Sequence, residues 1–185
     1  DPVALALGPL KIHWYGLMYL GGFFAAYYLG KKRAQRNDAP LKPEQVGDMI
    51  YFAALGVVLG GRLGYVFFYN FGKFLQDPIW LFRVWEGGMS FHGGLIGVIL
   101  ALVFYSRKVG CKPVQLVDFV APLVPIGLGL GRRGNFIGAE LYGRSSDVPW
   151  AMVFPTDPEQ VARHPSQLYQ AGLEGLALFL VLWFY

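Results

Sequence analysis

Apolar residues along this chain gather into five long runs, at residues 12–30, 49–71, 87–106, 113–131 and 166–185, separated by shorter polar stretches. Each run is close to the roughly 20 residues that a helix needs to cross a hydrocarbon core. A span has no water to satisfy its backbone, so all five are expected to be helices. Glycines recur within them, which favours close helix–helix packing. The runs are not uniformly apolar. Arg62 interrupts the second, Asp118 the fourth and Glu174 the fifth, while His92 stands near the start of the third. The pattern predicts an all-α integral membrane protein, a polytopic helix bundle with five spans.

Composition agrees. Of 185 residues, 55% are hydrophobic and 15% charged, against about 25% charged in soluble domains. Mean hydropathy is +0.40. Aromatics at 17% and 25 glycines point the same way, because Trp and Tyr collect at membrane interfaces and Gly is frequent in membrane helices. The net charge of +4 is not arranged as a basic face with interleaved aromatics, so nucleic acid is not an expected partner. Anionic membrane lipids account for the excess more simply. The single Cys111 lies in the basic stretch RKVGCK, rules out internal disulfides and cysteine-based metal sites, and reads as a reduced, non-catalytic thiol. The first run lacks a basic flank and a small-residue cleavage site and is read as the first span.

KKRAQR after the first run and RKVGCK after the third are dense, short and on one side, which orientation rules place in the cytoplasm. The stretches 72–86 and 132–165 are then external loops. Within the first, residues 77–85 resemble a short interfacial segment with an aromatic anchor.

The run GRRGNFIGAELYGR, residues 131–144, carries the strongest chemical signal. An arginine at a helix centre costs about 2.5–3.5 kcal/mol on insertion scales, and less near the interface. Arginines retained at this depth suit a phosphate, which the guanidinium grips with a bidentate fork. Neighbouring glycines let backbone N–H groups approach an anion, and Glu140 is placed to pair with one of the arginines. The alternative is a positive loop binding lipid non-specifically. Arg62 in GGRLGY reads either as a snorkelling side chain or as a buried one with a partner such as Asp118. His92 in SFHGG is either a water-accessible proton carrier or a histidine hydrogen-bonded between helices. Tyr15 in HWYG is either a belt aromatic or a phenol offered to a headgroup. Ser166 reads as a helix N-cap and Gln167 as a polar contact inside the bundle. His13, His92 and His164 are not spaced as ligands, so no metal is expected.

Together HWYGLMY, GGRLGYVFFYN, GGMSFHGGLIGV, DFVAPLVPIGLG, GRRGNF with ELYGR, and RHPSQLY resemble the bacterial prolipoprotein diacylglyceryl transferases across essentially the whole chain. The resemblance implies a transferase that moves diacylglycerol from phosphatidylglycerol to the lipobox cysteine thiol of a prolipoprotein and releases glycerol phosphate. It implies no cofactor, a place in the bacterial cytoplasmic (inner) membrane and a site toward its outer face. By motif, Arg132 is the expected phosphatidylglycerol ligand, with Asn135, Glu140 and Gly143 in the same signature. His92 and Tyr15 are expected catalytic positions, His92 as base or in a positional role. Arg62, Asp118 and Gln167 are assigned to site architecture. Arg133, Gly138, Ala139 and Gln170 depart from the family pattern. Further spans bearing a second phosphate-facing arginine are expected beyond Tyr185, so residues 1–185 are read as one transmembrane catalytic domain, truncated at the C-terminus. Two other classes remain: a lipid or anion transporter, which calls for an inverted repeat that the sequence lacks, and a non-enzymatic membrane scaffold.

Overall fold

The computed structural model describes residues 3–7 and 10–185, with side chains at Ala4, Trp14 and from Gly16 onward. Among the described residues four helices are long and apolar enough to cross a membrane: Gln45–Tyr69, Phe91–Val109, Pro113–Ile137 and Ser166–Phe184. Their most apolar windows are only 11% to 28% buried, and side chains such as Phe68 (84% exposed) face outward along them. Helices so apolar on the outside need lipid rather than water around them. The chain is a multi-pass membrane protein.

The expected count of five spans becomes four by this measure. The first run does form a 20-residue helix, α1, Trp14–Arg33. Its four tyrosines and four glycines lower its hydropathy without breaking it.

The chain divides into two compact units. In the unit Gly30–Phe119, helix α2 (Gln45–Tyr69) is followed by a short helix α3 (Phe71–Gln76) and by 3-10 turns at Pro78–Phe82 and Val84–Glu86. Helix α4 (Phe91–Val109) then packs along α2. The seam between them is glycine. A Cβ on Gly60 would overlap the Gly93 carbonyl and stand 2.8 Å from Gly97 Cα, and one on Gly56 would stand 2.9 Å from Ala101 Cβ. Spaced four apart, these residues let the two backbones meet directly. At the other end of the pair Met49, Leu102, Tyr105, Ser106 and Leu116 are buried, and Tyr105 Oη donates to the Gln45 carbonyl at 2.8 Å. Residues 77–85 coil into 3-10 turns that point Ile79, Phe82 and Trp85 outward and bury Trp80.

Helix α4 starts four residues later than the third run. Gly87 and Gly88 adopt φ of 79° and 84°, outside helical space, and Ser90 caps the helix by accepting from the Gly93 N–H at 3.1 Å. A side chain at Gly88 would collide with the Tyr65 ring.

The second unit joins residues 1–29 to Val120–Tyr185. Strands β1 (Val3–Leu7) and β2 (Leu10–His13) pair antiparallel and lead into α1. Helix α5 (Pro113–Val120) passes through a 3-10 turn at Ala121–Leu123 into α6 (Val124–Ile137). A Cβ on Gly22 of α1 would lie 3.3 Å from Gly127 Cα of α6. The last helix is α7 (Ser166–Gln170), a π-helical stretch Ala171–Ala177 and α8 (Leu178–Phe184). Between α6 and α7 a long loop carries two-residue strands β3 (Met152–Val153) and β4 (Ala162–Arg163).

The fourth run was expected to end at residue 131, yet α6 continues to Ile137. Glycine at 131 and 134 weakens a helix but does not end it. The stop comes where Ala139 takes a left-handed φ of 55°.

Candidate functional site

The residues singled out in the sequence fall into two groups, one in each unit. In Gly30–Phe119, Arg62 is 3% exposed, and it is held by carbonyls. Its Nε donates to Leu81 O at 2.9 Å, Nη1 to Gly87 O at 2.6 Å and Gly88 O at 3.3 Å, and Nη2 to Trp80 O at 2.7 Å and Arg83 O at 3.0 Å. The guanidinium also lies 4.6 Å from the Trp80 ring centroid. It therefore neither snorkels nor pairs with Asp118. One helical arginine gathers the irregular segment 80–88, whose carbonyls would otherwise lack donors.

That segment delivers His92. The Ser90 N–H bonds to the Gly61 carbonyl at 2.9 Å, one residue before Arg62. His92 follows as the second residue of α4, exposed, with the Phe91 ring edge-on at 5.7 Å. Its imidazole makes no hydrogen bond among the described residues. Asp118 is exposed as well. It lines a cavity of about 200 Å³ with Arg33, Arg36, Asp38 and Gln115, where the KKRAQR stretch meets the start of α5. Cys111 is half-buried between α4 and α5, and burial pushes its thiol pKa up. A protonated thiol is a poor nucleophile.

In the other unit, Arg132 and Arg133 belong to the last turns of α6, not to a loop. Asn135 is buried, and its carbonyl accepts the Glu140 N–H at 2.8 Å. The chain then turns sharply through left-handed Ala139 (φ 55°) and Leu141 (φ 58°). For non-glycine residues each such conformation costs on the order of 1–2 kcal/mol. Three side-chain donors hold the turn, one on each successive carbonyl. Thr156 Oγ1 donates to Ala139 O, Gln167 Nε2 to Glu140 O at 2.6 Å, and Ser166 Oγ to Leu141 O at 3.1 Å. Hydrogen bonds of about 1 kcal/mol each offset the strain. Gln167 is fully buried, so this bond sets the orientation of its amide. Ser166 is not an N-cap: its hydroxyl serves the turn, and Pro165 occupies the cap position. Gly143 donates to the His164 carbonyl at 2.9 Å, and a Cβ there would stand 3.0 Å from His164.

Glu140 does not pair with an arginine among the described residues. Its carboxylate folds back beside Gly138, where an added Cβ would lie 3.6 Å from Oε1. The carboxylate facing Arg132 is Glu174, with Oε2 3.7 Å from Nε. Arg133 and Arg144 are exposed. Arg163, by contrast, is locked: Nε and Nη2 meet Asp157 at 2.7 and 3.0 Å, Nη2 meets Glu159 at 2.5 Å, and the guanidinium lies 5.3 Å from the Tyr142 ring centroid. The Tyr15 side chain lies outside the described residues.

Comparison with known proteins resolves what this assembly belongs to. The family model for prolipoprotein diacylglyceryl transferase matches residues 2–185. The chain belongs to that family.

Relatives bearing the name phosphatidylglycerol–prolipoprotein diacylglyceryl transferase align over the whole chain. The protein of Ectopseudomonas mendocina is 64% identical over 185 residues, with 70% of its length covered. That of Marinomonas is 58% identical with 69% covered, and that of Teredinibacter turnerae 62% identical over 195 residues with 68% covered. Family membership explains the motifs but not every contact. Glu174 and the Asp157–Arg163 lock escaped the motif reading. Glu174 was visible only as a charge inside an apolar run, and Asp157 precedes its partner by six residues in a loop without periodicity.

Proposed function

We propose that this chain carries the phosphatidylglycerol-binding and catalytic residues of an enzyme that transfers a diacylglyceryl group to the lipobox cysteine of a prolipoprotein. The substrate supplies the nucleophile. Its thiol loses a proton, the sulfur attacks the glyceryl carbon bonded to the phosphate oxygen, a C–S bond forms and the C–O bond breaks. Glycerol phosphate leaves with the bonding pair. Arg132 is the phosphate ligand in this reading and stabilises the leaving group. Asn135 and Gly143 hold the turn beside it, and Glu140 stands at its rim. His92, exposed at the start of α4, is the acceptor for the thiol proton, and Tyr15 offers its phenol to the headgroup. Arg62 and Gln167 build the backbone on which these groups stand.

The observation that carries the proposal is the state of Arg132. Its Nε faces Glu174 at 3.7 Å, while its fork, Nη1 and Nη2, has no hydrogen-bond partner among the described residues. Arg133 and Arg144 of the same signature are exposed, whereas Arg132 is half-buried. The basic stretches 31–36 and 107–112 flank one end of Gly30–Phe119, while Arg62 and His92 lie toward the other end of α2 and α4. This supports a site at the outer face of the bacterial inner membrane.

The test is to incubate the full-length protein in phosphatidylglycerol vesicles with a lipobox peptide, and to follow thioether product and glycerol phosphate together. Both are expected in equal amounts. Arg132→Ala lowers turnover by about 10²–10³ or more, whereas Cys111→Ser leaves it intact. If neither product forms, the transferase reading fails. Movement of unmodified lipid or anion across the vesicle would instead favour a transporter, and neither activity would favour a scaffold.

A further inference from the structure

Glu174 is the carboxylate that the fifth apolar run cannot explain by packing. It lies within the π-helical stretch Ala171–Ala177. Such turns are rare, and they commonly mark functional positions where an extra residue re-aims the side chains around it. Glu174 and Gly175 lie in the middle of this stretch. A Cβ on Gly175 would stand 2.7 Å from Gly129 Cα, and one on Gly129 would stand 3.0 Å from Gly175 Cα. The two helices thus touch backbone to backbone, one residue from Glu174 and three residues, close to one turn, from Arg132. The contact sets the carboxylate against the arginine.

The geometry of the pair is loose in an informative way. Oε2 of Glu174 approaches only Nε of Arg132, at 3.7 Å, with the two side chains 43% and 30% exposed. A closed charge-assisted bond runs to about 2.7–2.9 Å, as Arg163 and Asp157 achieve at 2.7 Å. Glu174 therefore sits on one edge of the guanidinium and leaves the fork open.

We propose that Glu174 is a positioning residue for Arg132: the resident counter-anion that aims the fork and weakens its grip on phosphate enough for the product to leave. The proposal rests on Arg132 being the phosphate ligand. An arginine with no competing anion binds both the lipid and glycerol phosphate more tightly, and turnover then waits on release. A carboxylate needed only for folding produces no such signature.

The experiment uses the full-length protein in phosphatidylglycerol vesicles with a lipobox peptide and measures KM for the lipid, kcat, and inhibition by added glycerol phosphate. Glu174→Gln lowers KM and the glycerol phosphate inhibition constant about three- to tenfold and lowers kcat in step. Glu174→Asp, its carboxylate withdrawn by one methylene, moves the same constants about twofold. The aspartate variant is read alone where the amide variant does not accumulate. Constants that stay unchanged, or a KM that rises, overturn the proposal. Arg132→Ala separates the two levels. Retained turnover removes Arg132 from the phosphate site, whereas its loss alongside unchanged Glu174 variants defeats only the role given to Glu174.

Discussion

Arg62 and Arg132 both stand in apolar helices of this protein, and their surroundings are opposite. Arg62 is 3% exposed and places its donors on five backbone carbonyls. Arg132 has a side chain 30% exposed and meets a single carboxylate at 3.7 Å. Burying a guanidinium is tolerable when every donor is matched, and an arginine so matched has nothing left for a ligand. One whose fork is unmatched retains the chemistry that binds phosphate. Charge inside an apolar run therefore marks importance, while the list of partners separates scaffold from site.

The largest expected effect breaks the first half of that contrast. Arg62→Ala strips the donors from carbonyls of residues 80–88 and costs about 1–3 kcal/mol for each carbonyl left buried and unsatisfied. The measurement is a thermal midpoint in detergent beside the yield of folded protein. Arg132→Ala, on the same assay, removes a partly exposed ion pair worth about 0–1 kcal/mol. Its midpoint stays within about 4 °C although turnover collapses. A stable Arg62→Ala protein, or an unfolded Arg132→Ala one, would reverse the assignment of roles.

The next effect tests whether the glycine seam supports Arg62 and His92. Gly60→Ala drives a methyl into the Gly93 carbonyl. It is expected to cost about 1–3 kcal/mol as an overpacked contact and to disturb the Gly61–Ser90 bond that precedes His92. Gly131→Ala meets nothing within 4 Å and is expected to be neutral or stabilising by about 0.4–1 kcal/mol. Equal midpoints for the two variants would mean that α2 and α4 can separate freely.

Much of this was legible in the sequence. Helices announce themselves by the length of apolar runs, and the glycines recurring within them point to close helix packing. The family motifs pointed to Arg132, Asn135 and His92. What escaped was set by contacts between distant residues. Arg62 was read either as a snorkelling side chain or as a buried one with a partner such as Asp118, but carbonyls of an irregular loop leave no mark on a sequence. The turn at 139–141 depends on donors from Thr156, Ser166 and Gln167; the last two lie in RHPSQLY, but nothing in that motif says which carbonyls they serve. Glu174 reaches Arg132 through a π-helical stretch that ordinary helical periodicity misplaces.

A third arginine sharpens the comparison with the smallest expected effect. Arg163 is closed by carboxylates rather than carbonyls, and its lock is therefore open to pH. The Arg163 hydrogen bonds, assisted by the N–H groups of Glu159 and Val161, hold the Asp157 carboxyl below the ordinary range. A folded-state pKa below the unfolded value of about 3.9 contributes stability that is complete above that value. It is lost as pH falls through the lowered folded value. The loop 138–165 should thus resist pepsin near pH 5 and become cleavable as the pH drops below about 4, while helices α2 and α4 stay intact. Asp157→Asn removes the titrating group and should leave the loop equally cleavable at both pH values. Carbonyls do not protonate in this range, so the segment held by Arg62 should show no such transition. Cleavage of residues 80–88 in parallel with the loop would mean that acid acts on the whole fold and not on the carboxylate lock.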